Sequence, residues 1–231
     1  MRQIPRLLSV LVAASAALVI LGISITPFLS PAWVSFEQDR SQAAAWTGFS
    51  PADVHTATDA ILSDLVLGPP SFDVELHGVA VLTAAERSHM RDVRGVFMAF
   101  YLAAGIGLVI LVLGRLTVRA SGPWSRRRLL GAVRAGSLAL GVAIVIGGII
   151  ASTAFDAAFE VFHRLFFAAG TYNFDPTTDR LVQLFPDAFW SETTIAVGSV
   201  ALVLALIVVA GTSLRLRETR APMIAAGEGA S

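Results

Sequence analysis

The sequence predicts a mainly α-helical membrane protein, with four transmembrane helices and a small extracytoplasmic α+β domain between the first helix and the second. The chain of 231 residues is 55% apolar, and its mean hydropathy is +0.71. Four apolar runs contain no Asp, Glu, Arg or His, and each is close to the roughly 20 residues that a helix needs to cross the hydrocarbon core. The runs are residues 7–28, 95–114, 135–155 and 193–214.

Arginine sets the expected orientation, because every basic residue of the chain is arginine. Of the 17 arginines, 11 flank the runs on the side of the two termini, whereas 15 of the 17 acidic residues lie on the opposite side. Basic residues near span ends mark the cytoplasmic side. The expected cytoplasmic segments are the N-terminus, which leads into the first span (1–28), a basic loop (115–134) and a tail (215–231). The expected extracytoplasmic segments are a domain that leads into the second helix (29–94) and a helix extension with a loop (156–192). We expect the last part of the cytoplasmic tail to be disordered.

The first apolar run is expected to stay in the protein as an anchor. It is about 22 residues long and shows no small-x-small cleavage site at its end, unlike a secretory signal peptide. The chain has no cysteine. A disulfide, a thiol nucleophile and a cysteine-based metal site are therefore excluded.

Local patterns predict the elements of the extracytoplasmic domain. Residues 32–36 (AWVSF) favour a strand. Ser50 and Pro51 are typical of a helix start, and we expect an amphipathic helix from there to about Leu67, followed by a stop at residues 68–70 (GPP). Residues 72–77 (FDVELH) alternate apolar and polar side chains, as a half-buried strand does.

Two histidines are expected at the outer ends of two different transmembrane helices. Thr83 and Glu86 form a capping-box pattern, so the second helix should begin before the membrane and carry His89. From His89 to Arg115 is about 39 Å of helix, and from His163 back to Arg134 is about 43 Å if that helix is unbroken. Both imidazoles then lie near the outer headgroup layer, which makes them a candidate proton-transfer pair.

Carboxylates are available to each of these histidines on the same helix. Asp92 follows His89 by three residues, and Glu160 precedes His163 by three, so each carboxylate can orient its imidazole. Less specific interpretations stay open at this point. An interfacial histidine often only anchors a helix end, and the phenylalanines around His163 also fit an aromatic belt.

Other polar residues have plainer expected roles. His55 and His77 lie on the polar faces of exterior elements, where solvation is the expected state. Arg91 and Arg94 are expected to meet lipid phosphates, with an oxyanion or substrate-carboxyl role as the alternative. No His-x-x-x-His or His-Glu-x-x-His spacing occurs, so we expect no metal site.

Two motif blocks carry a resemblance to a known family. The stretch SHMRDVR at residues 88–94, directly before the second span, resembles one signature of the lipoprotein intramolecular transacylases. A second stretch, FEVFHRLFF at 159–167, resembles the other signature of this family. It continues with FDP at 174–176, DRL at 179–181 and LFPDAFW at 184–190. The sequence departs from the family pattern in the second exterior loop, where Tyr172 follows residues 169–171 (AGT) in place of a tryptophan after polar residues.

The resemblance implies an enzyme that moves an acyl chain within a lipid-modified protein. The substrate would be a bacterial lipoprotein whose N-terminal cysteine carries a diacylglyceryl group, and the sn-2 acyl chain would move to the cysteine α-amine to give a lyso-form lipoprotein. His89 and His163 match the two histidines of the family, one as base and the other as oxyanion stabiliser or acid, in an order that stays open. Orientation, oxyanion or substrate-binding roles are expected for Arg91, Asp92, Arg94, Glu160, Tyr172 and Asp175.

The same resemblance implies the setting of the reaction. The expected location is the bacterial cytoplasmic membrane, as a multi-pass protein with its active site at the outer leaflet. The expected partners are diacylated lipoproteins and membrane lipid, with no nucleic acid, no cofactor and an open oligomeric state. An α-amine has a pKa of about 8, so a base of imidazole strength is enough to make it a nucleophile.

Two further classes of function stay open at the level of sequence. A non-catalytic docking or assembly module would use the same exterior loops, and its histidines would be incidental. Another membrane lipid acyltransferase or hydrolase, acting on free phospholipid, would use the same base. A small transporter is disfavoured, because the four spans contain neither a charged residue nor a helix-breaking proline near the midplane.

Overall fold

Four helices of the computed structural model, which describes residues 6–121 and 123–218, are long and apolar enough to cross a membrane. These helices confirm the predicted fold class, together with a small strand-containing region between the first and the second. They are α1 (Arg6–Ile25, extended by the 3-10 turn Thr26–Leu29), α5 (Ala84–Ser121), α6 (Pro123–Thr153) and α9 (Asp187–Glu218).

Shorter elements occupy the segments between α1 and α5 and between α6 and α9. The first segment contains α2 (Pro31–Arg40), α3 (Ala43–Thr47), α4 (Pro51–Val66), β1 (Glu75–Leu76) and β2 (Val79–Ala80). The second segment contains α7 (Phe155–Phe166) and α8 (Arg180–Leu184).

The chain divides into two compact units. One unit consists of residues 1–24, 101–147 and 198–231, and contains most of the length of the apolar helices. Small residues let its helices approach closely: a Cβ on Gly136 of α6 would lie 2.1 Å from the carbonyl oxygen of Ala13 on α1. No side chain other than hydrogen fits there, as is common where membrane helices cross.

The other unit, residues 25–100 and 148–197, contains all of the shorter elements. Its largest apolar core contains side chains from α4, from β1 and the residues around β1 and β2, from the start of α5 and from α8. The residues at its centre are almost fully buried: Val54, Ile61, Phe72, Leu82 and Leu184. This core fixes the short elements against the first turns of α5, where one of the candidate histidines lies.

The predicted strand at residues 32–36 is wrong, because this stretch lies in helix α2. Ser30 is the N-cap, its hydroxyl accepts a hydrogen bond from the amide of Trp33 at 3.4 Å, and Pro31 occupies the first helical position. This is the same Ser-Pro signal that correctly predicts α4, where Ser50 accepts from the amide of Asp53 at 3.1 Å. The cap satisfies free backbone donors and so outweighs the weak β preference of the aromatic and branched residues.

The predicted alternation at residues 72–77 is confirmed by burial, although only two of these residues pair as a strand. Glu75 pairs with Ala80, and Leu76 with Val79, in antiparallel register. The two residues between them, His77 and Gly78, both have positive φ, at 53° and 78°. A two-residue turn with both φ values positive matches the right-handed twist of the strands, which is why glycine is favoured there.

The third apolar helix is not continuous up to His163. Helix α6 ends at Thr153, Ala154 leaves the helical conformation with φ −151° and ψ 53°, and α7 begins at Phe155. The height calculated for His163 along an unbroken helix is therefore wrong. The described residues of the expected cytoplasmic loop at 115–134 belong to α5 and α6, and the tail predicted after Arg220 lies outside the described residues.

Candidate active site

His89 lies in the second turn of α5, and the predicted capping box fixes the start of that helix. The amide of Thr83 donates to Oε2 of Glu86 at 2.7 Å, and the amide of Glu86 donates to Oγ1 of Thr83 at 3.3 Å. The other carboxylate oxygen of Glu86, Oε1, accepts from the amide of Leu181 at 2.6 Å. One buried carboxylate thus joins the start of α5 to the start of α8.

His163 lies in the last turn of α7, and a backbone carbonyl orients its ring. Nδ1 is 2.8 Å from the carbonyl oxygen of Phe159, one turn earlier. A carbonyl oxygen can only accept, so Nδ1 carries the proton in this hydrogen bond and Nε2 presents a lone pair. This tautomer leaves Nε2 of His163 as the basic atom.

The two imidazoles lie side by side, although 74 residues separate them in the chain. Their ring centroids are 6.0 Å apart and their planes differ by 22°, which makes the rings nearly parallel. Their residues are only 6% and 8% exposed for His89 and His163, respectively. The Nδ1 atom of His89 is buried and has no hydrogen-bond partner among the described residues.

Aromatic side chains surround the imidazole pair. Phe167 touches both rings, with its centroid 4.8 Å from that of His89 and 5.4 Å from that of His163. The shell is completed by Phe159 at 4.1 Å and Tyr172 at 5.1 Å from His163, and by Phe174 at 5.5 Å from His89. An apolar aromatic surrounding of this kind lowers the local dielectric and so strengthens the electrostatic interactions of the two imidazoles.

Neither of the carboxylates predicted for the two histidines forms a hydrogen bond with its imidazole among the described residues. Oε1 of Glu160 accepts from Nε of Arg164 at 2.8 Å, one turn along α7. Asp92 is exposed on α5, as is Arg91. The ring of His163 is therefore oriented by the backbone of Phe159 and not by a carboxylate.

Two of the other predicted site residues stabilise loops. The guanidinium of Arg94 donates to the carbonyl oxygens of Asp64 and, at 2.7 Å, of Gly68, and so satisfies backbone acceptors at the end of α4. Oδ1 of Asp175 accepts from the amide and the hydroxyl of Thr177 at 2.8 and 2.7 Å. These hydrogen bonds hold the pKa of Asp175 below its usual value. Tyr172, in contrast, packs directly against His163.

The remaining two histidines lie outside the imidazole pair. Nε2 of His55 is 3.0 Å from Oδ1 of Asp39, and Nε2 of His77 is 3.1 Å from Oδ1 of Asp53. Within residues 6–121 and 123–218, no group of three or more metal-ligating side chains is arranged to hold an ion.

Sequence reasoning missed two features that shape the site. Phe167 lies in the second motif block but was not distinguished from the neighbouring phenylalanines, since its contact with both imidazoles depends on the end of α7. The hydrogen bond from the amide of Leu181 to Glu86 spans 95 residues and has a backbone donor, so no local sequence pattern predicts it.

The fold and the site define a multi-pass membrane protein with a buried pair of imidazoles. A family model described as lipoprotein intramolecular transacylase Lit matches residues 9–190. The chain belongs to this family. The family name describes an acyl transfer within a lipoprotein, so membership indicates an acyltransferase that acts on lipoproteins.

Solved structures show the same fold. The chain is similar to the membrane-integral lipoprotein intramolecular transacylase Lit from Bacillus cereus, with a TM-score of 0.75 and 18% identity over 93% of this chain and 97% of that one. Two structures of that protein with a single histidine mutation, to arginine and to alanine, each match with a TM-score of 0.71 and 18% identity. They cover 94% and 93% of this chain, respectively, and 94% of theirs. Among curated proteins, none matches this chain.

Proposed function

We propose that this protein moves the sn-2 acyl chain of a diacylglyceryl-modified lipoprotein to the α-amine of its N-terminal cysteine, giving a lyso-form lipoprotein. The observation that carries the proposal is the pair of buried imidazoles with centroids 6.0 Å apart, in a chain of the transacylase family. A gap of this size brings two ring nitrogens within reach of one amine and one ester. We also propose that this site faces the outer leaflet of the bacterial cytoplasmic membrane, where the ester and the cysteine of such a substrate lie.

His163 is the proposed general base. Its Nδ1 proton is committed to the carbonyl oxygen of Phe159, so Nε2 is free to accept a proton from the substrate amine. The neutral amine nitrogen attacks the ester carbonyl carbon as it gives this proton to Nε2 of His163, and a tetrahedral oxyanion forms. When the intermediate collapses, the new C–N bond remains and the C–O bond to the glycerol breaks. The glycerol oxygen takes a proton from His89, which recovers one from Nε2 of His163, so that one proton moves overall from nitrogen to oxygen.

His89 is the proposed group that stabilises the oxyanion and protonates the departing glycerol oxygen. Its buried Nδ1 atom has no partner among the residues that the structure describes, and we propose that the bound substrate provides its hydrogen bond. This assignment gives the two imidazoles opposite roles: one is fixed by the protein, and the other is completed by the substrate.

The reaction needs no serine or cysteine nucleophile, because ester and amine belong to one molecule. Holding them about 3 Å apart contributes a proximity effect of up to several orders of magnitude in rate. The aromatic shell formed by Phe159, Phe167 and Tyr172 supplies an apolar, water-poor surface for the acyl chain in transit. The proposed enzyme therefore acts by positioning, deprotonation and oxyanion stabilisation.

Mass spectrometry of a reporter lipoprotein tests the proposal. The reporter is co-expressed with this chain in a bacterial host that lacks lipoprotein N-acylation. The expected product carries one acyl chain on the cysteine nitrogen and one on the glycerol, and its total mass equals that of the diacylated substrate, because the transfer is intramolecular. Fragment ions therefore decide the assignment. Recovery of the unchanged free-amine form alone would remove the proposed activity.

A second arm separates the proposed reaction from acyl transfer or hydrolysis of free phospholipid. The purified protein is incubated in phospholipid vesicles without any lipoprotein. The proposed function predicts no release of lysophospholipid. Equal turnover of phospholipid with and without the reporter would assign the imidazole pair to a different substrate.

A further inference from the structure

A second polar cluster joins helix α2 to the first turns of α9. Trp33, Glu37 and Arg40 lie on one face of α2, at spacings of four and three residues. Nε1 of Trp33 donates to Oγ1 of Thr193 at 3.2 Å. Nε and Nη2 of Arg40 both donate to Oε2 of Glu192, at 2.8 and 2.7 Å.

Glu37 is the unusual member of this cluster, because its carboxyl group is 1% exposed and has another carboxyl group as its partner. Nε of Arg40 lies 3.9 Å from Oε2 of Glu37 and 2.8 Å from Oε2 of Glu192, so the two carboxyl groups meet at one guanidinium, and a hydrogen bond between their side chains is among the causes that raise the pKa of Glu37. Two carboxylates cannot share a hydrogen bond unless one of them is protonated. Burial, followed by this hydrogen bond and the charge of Glu192, raises the pKa of Glu37 to about 7, and Glu37 is therefore the member that carries the proton.

Few other charges act on this carboxyl group. Arg40 lowers the pKa of Glu37 through its positive charge, with Nε 3.9 Å from Oε2 of Glu37, but it is bound more closely to Glu192. Helix α3 and the 3-10 turn, which pack against α2, contain no ionisable side chain. The histidine of α4, His55, is paired with Asp39 of α2.

The cluster is connected to the imidazole pair through aromatic contacts. Trp190 lies two residues before Glu192 in the first turn of α9, and its ring centroid is 6.2 Å from that of Phe159. The ring centroid of Phe159 lies 4.1 Å from that of His163, with the two planes tilted by 45°, and the carbonyl oxygen of Phe159 accepts the hydrogen bond from Nδ1 of His163. A shift of the first turn of α9 would therefore reach the residue that orients the proposed base.

We propose that Glu37 is a positioning residue for the acyl transfer: its protonated carboxyl group binds Glu192, holds the first turn of α9 in place, and so keeps Trp190 and Phe159 against His163. This inference rests on the proposed function for its effect on rate. The hydrogen bond between the two carboxyl groups is a property of the fold and is measurable without substrate.

Ionisation of Glu37 has two consequences for pH dependence. The folded-state pKa of about 7 is above the ordinary value of 4.5, so the contribution to stability is complete below pH 4.5 and is lost as the pH rises through about 7. Above that pH, two neighbouring carboxylates repel each other. At about pH 8.5 only about 3% of Glu37 would remain protonated.

The test compares the wild-type protein with Glu37→Gln across this pH range. Glutamine keeps the size of the side chain and donates a hydrogen bond to Glu192 at every pH. The ratio of variant to wild-type rate is expected to be near one at about pH 6 and to rise to at least about threefold at about pH 8.5. Taking a ratio removes the pH dependence of the amine and of the histidines, because both proteins share it. The matched control is Glu75→Gln, the same change at an exposed residue, whose ratio should stay flat.

Amide hydrogen exchange of residues 187–196, measured without substrate, is the second readout. Exchange in the wild-type protein should accelerate between about pH 6 and pH 8.5 more than the intrinsic base-catalysed increase, whereas Glu37→Gln should follow the intrinsic increase alone. A flat rate ratio in an active protein, or equal exchange in the two proteins, overturns the positioning role. A wild-type protein that converts no reporter at any pH overturns the proposed function instead. In that case the exchange experiment still tests whether the hydrogen bond between Glu37 and Glu192 holds the start of α9.

Discussion

The four histidines of this chain occupy two contrasting environments. His89 and His163 are buried, nearly parallel and enclosed by aromatic rings, and the ring of His163 is oriented by a backbone carbonyl. His55 and His77 lie nearer to solvent, and each is paired with an aspartate. The histidines in direct contact with a carboxylate oxygen are thus not the ones at the candidate active site.

This difference shows what spacing along a helix does and does not determine. A carboxylate three residues from a histidine is within reach, but solvent-exposed side chains at a helix surface choose among several partners of similar energy. Glu160 pairs with Arg164, four residues away, in preference to His163. A buried imidazole has fewer choices and takes the nearest acceptor of its own helix, the carbonyl oxygen of Phe159.

Alanine substitution of each histidine is expected to give the largest difference between the buried and the solvent-accessible pairs. His163→Ala and His89→Ala are each expected to lower the rate of acyl transfer about 1000-fold, because each removes a group that transfers or stabilises charge in the transition state. His55→Ala and His77→Ala should stay within about twofold of wild type, since both ion pairs are accessible to solvent and lie outside the imidazole pair. The measurement is the initial rate of N-acylated reporter formation. Full activity in either buried variant would show that the substituted imidazole is incidental to the acyl transfer.

Glu86→Ala tests whether the buried pair depends on its supporting carboxylate. The substitution leaves the amide of Leu181 without its acceptor in a buried region and removes a partly buried hydrogen bond from the amide of Thr83. Together these losses cost about 3 kcal/mol and should lower the melting temperature by roughly 6 to 12 °C. The matched change near the exposed pair, Asp39→Ala, should shift it by no more than about 2 °C. Thermal unfolding in detergent measures both. Equal shifts would mean that the start of α5 is held by apolar packing alone.

Phe167→Ala sharpens the comparison by removing the ring that touches both buried imidazoles. We expect about a tenfold loss of rate, because the two rings lose the side chain that sets their separation and water gains access to them. Phe166→Ala is the control, since that neighbouring ring is 51% exposed and touches neither imidazole within the described contacts. The expected difference is in kcat measured with the reporter. A similar loss in both variants would point to a general effect of α7 and not to the contact with the imidazoles.

The sequence was informative where the determining interactions are local. The capping box of Thr83 and Glu86 and the cap at Ser50 were predicted from four-residue patterns, and both are present. The strand predicted at residues 32–36 failed because the cap at Ser30 was not weighed against β preference. Where one local pattern favours a helix and another favours a strand, their free-energy contributions need to be compared. Here the helix cap at Ser30 stabilises more than the β preference of the residues that follow it.

Long-range features were less accessible. The proximity of His89 and His163 was expected from calculated heights, yet the calculation assumed a helix that breaks at Ala154. The helix break, the contact of Phe167 with both rings and the bond from Leu181 to Glu86 arise only after distant segments pack together. The carboxyl pair of Glu37 and Glu192 joins residues 155 positions apart, and neither residue has a neighbour in sequence that reveals it.

The smallest expected effect concerns the N-terminus of α4, where Asp53 is the partner of the solvent-accessible His77. Ser50→Ala removes the hydroxyl that caps α4, at a cost of about 1 kcal/mol, and should lower the melting temperature by a few degrees with no change in rate. The same hydroxyl donates to Asp53 and, as the largest cause, lowers the pKa of Asp53 below 3.8; the hydrogen bond from His77 adds to this. A lowered folded-state pKa contributes stability above pH 3.8 that disappears as the pH falls through the folded value, so the difference between wild type and Ser50→Ala should narrow in acid. Melting curves at neutral pH and below about pH 3 measure this narrowing. A difference that stays constant would assign the whole effect to the backbone cap and none to the charge of Asp53.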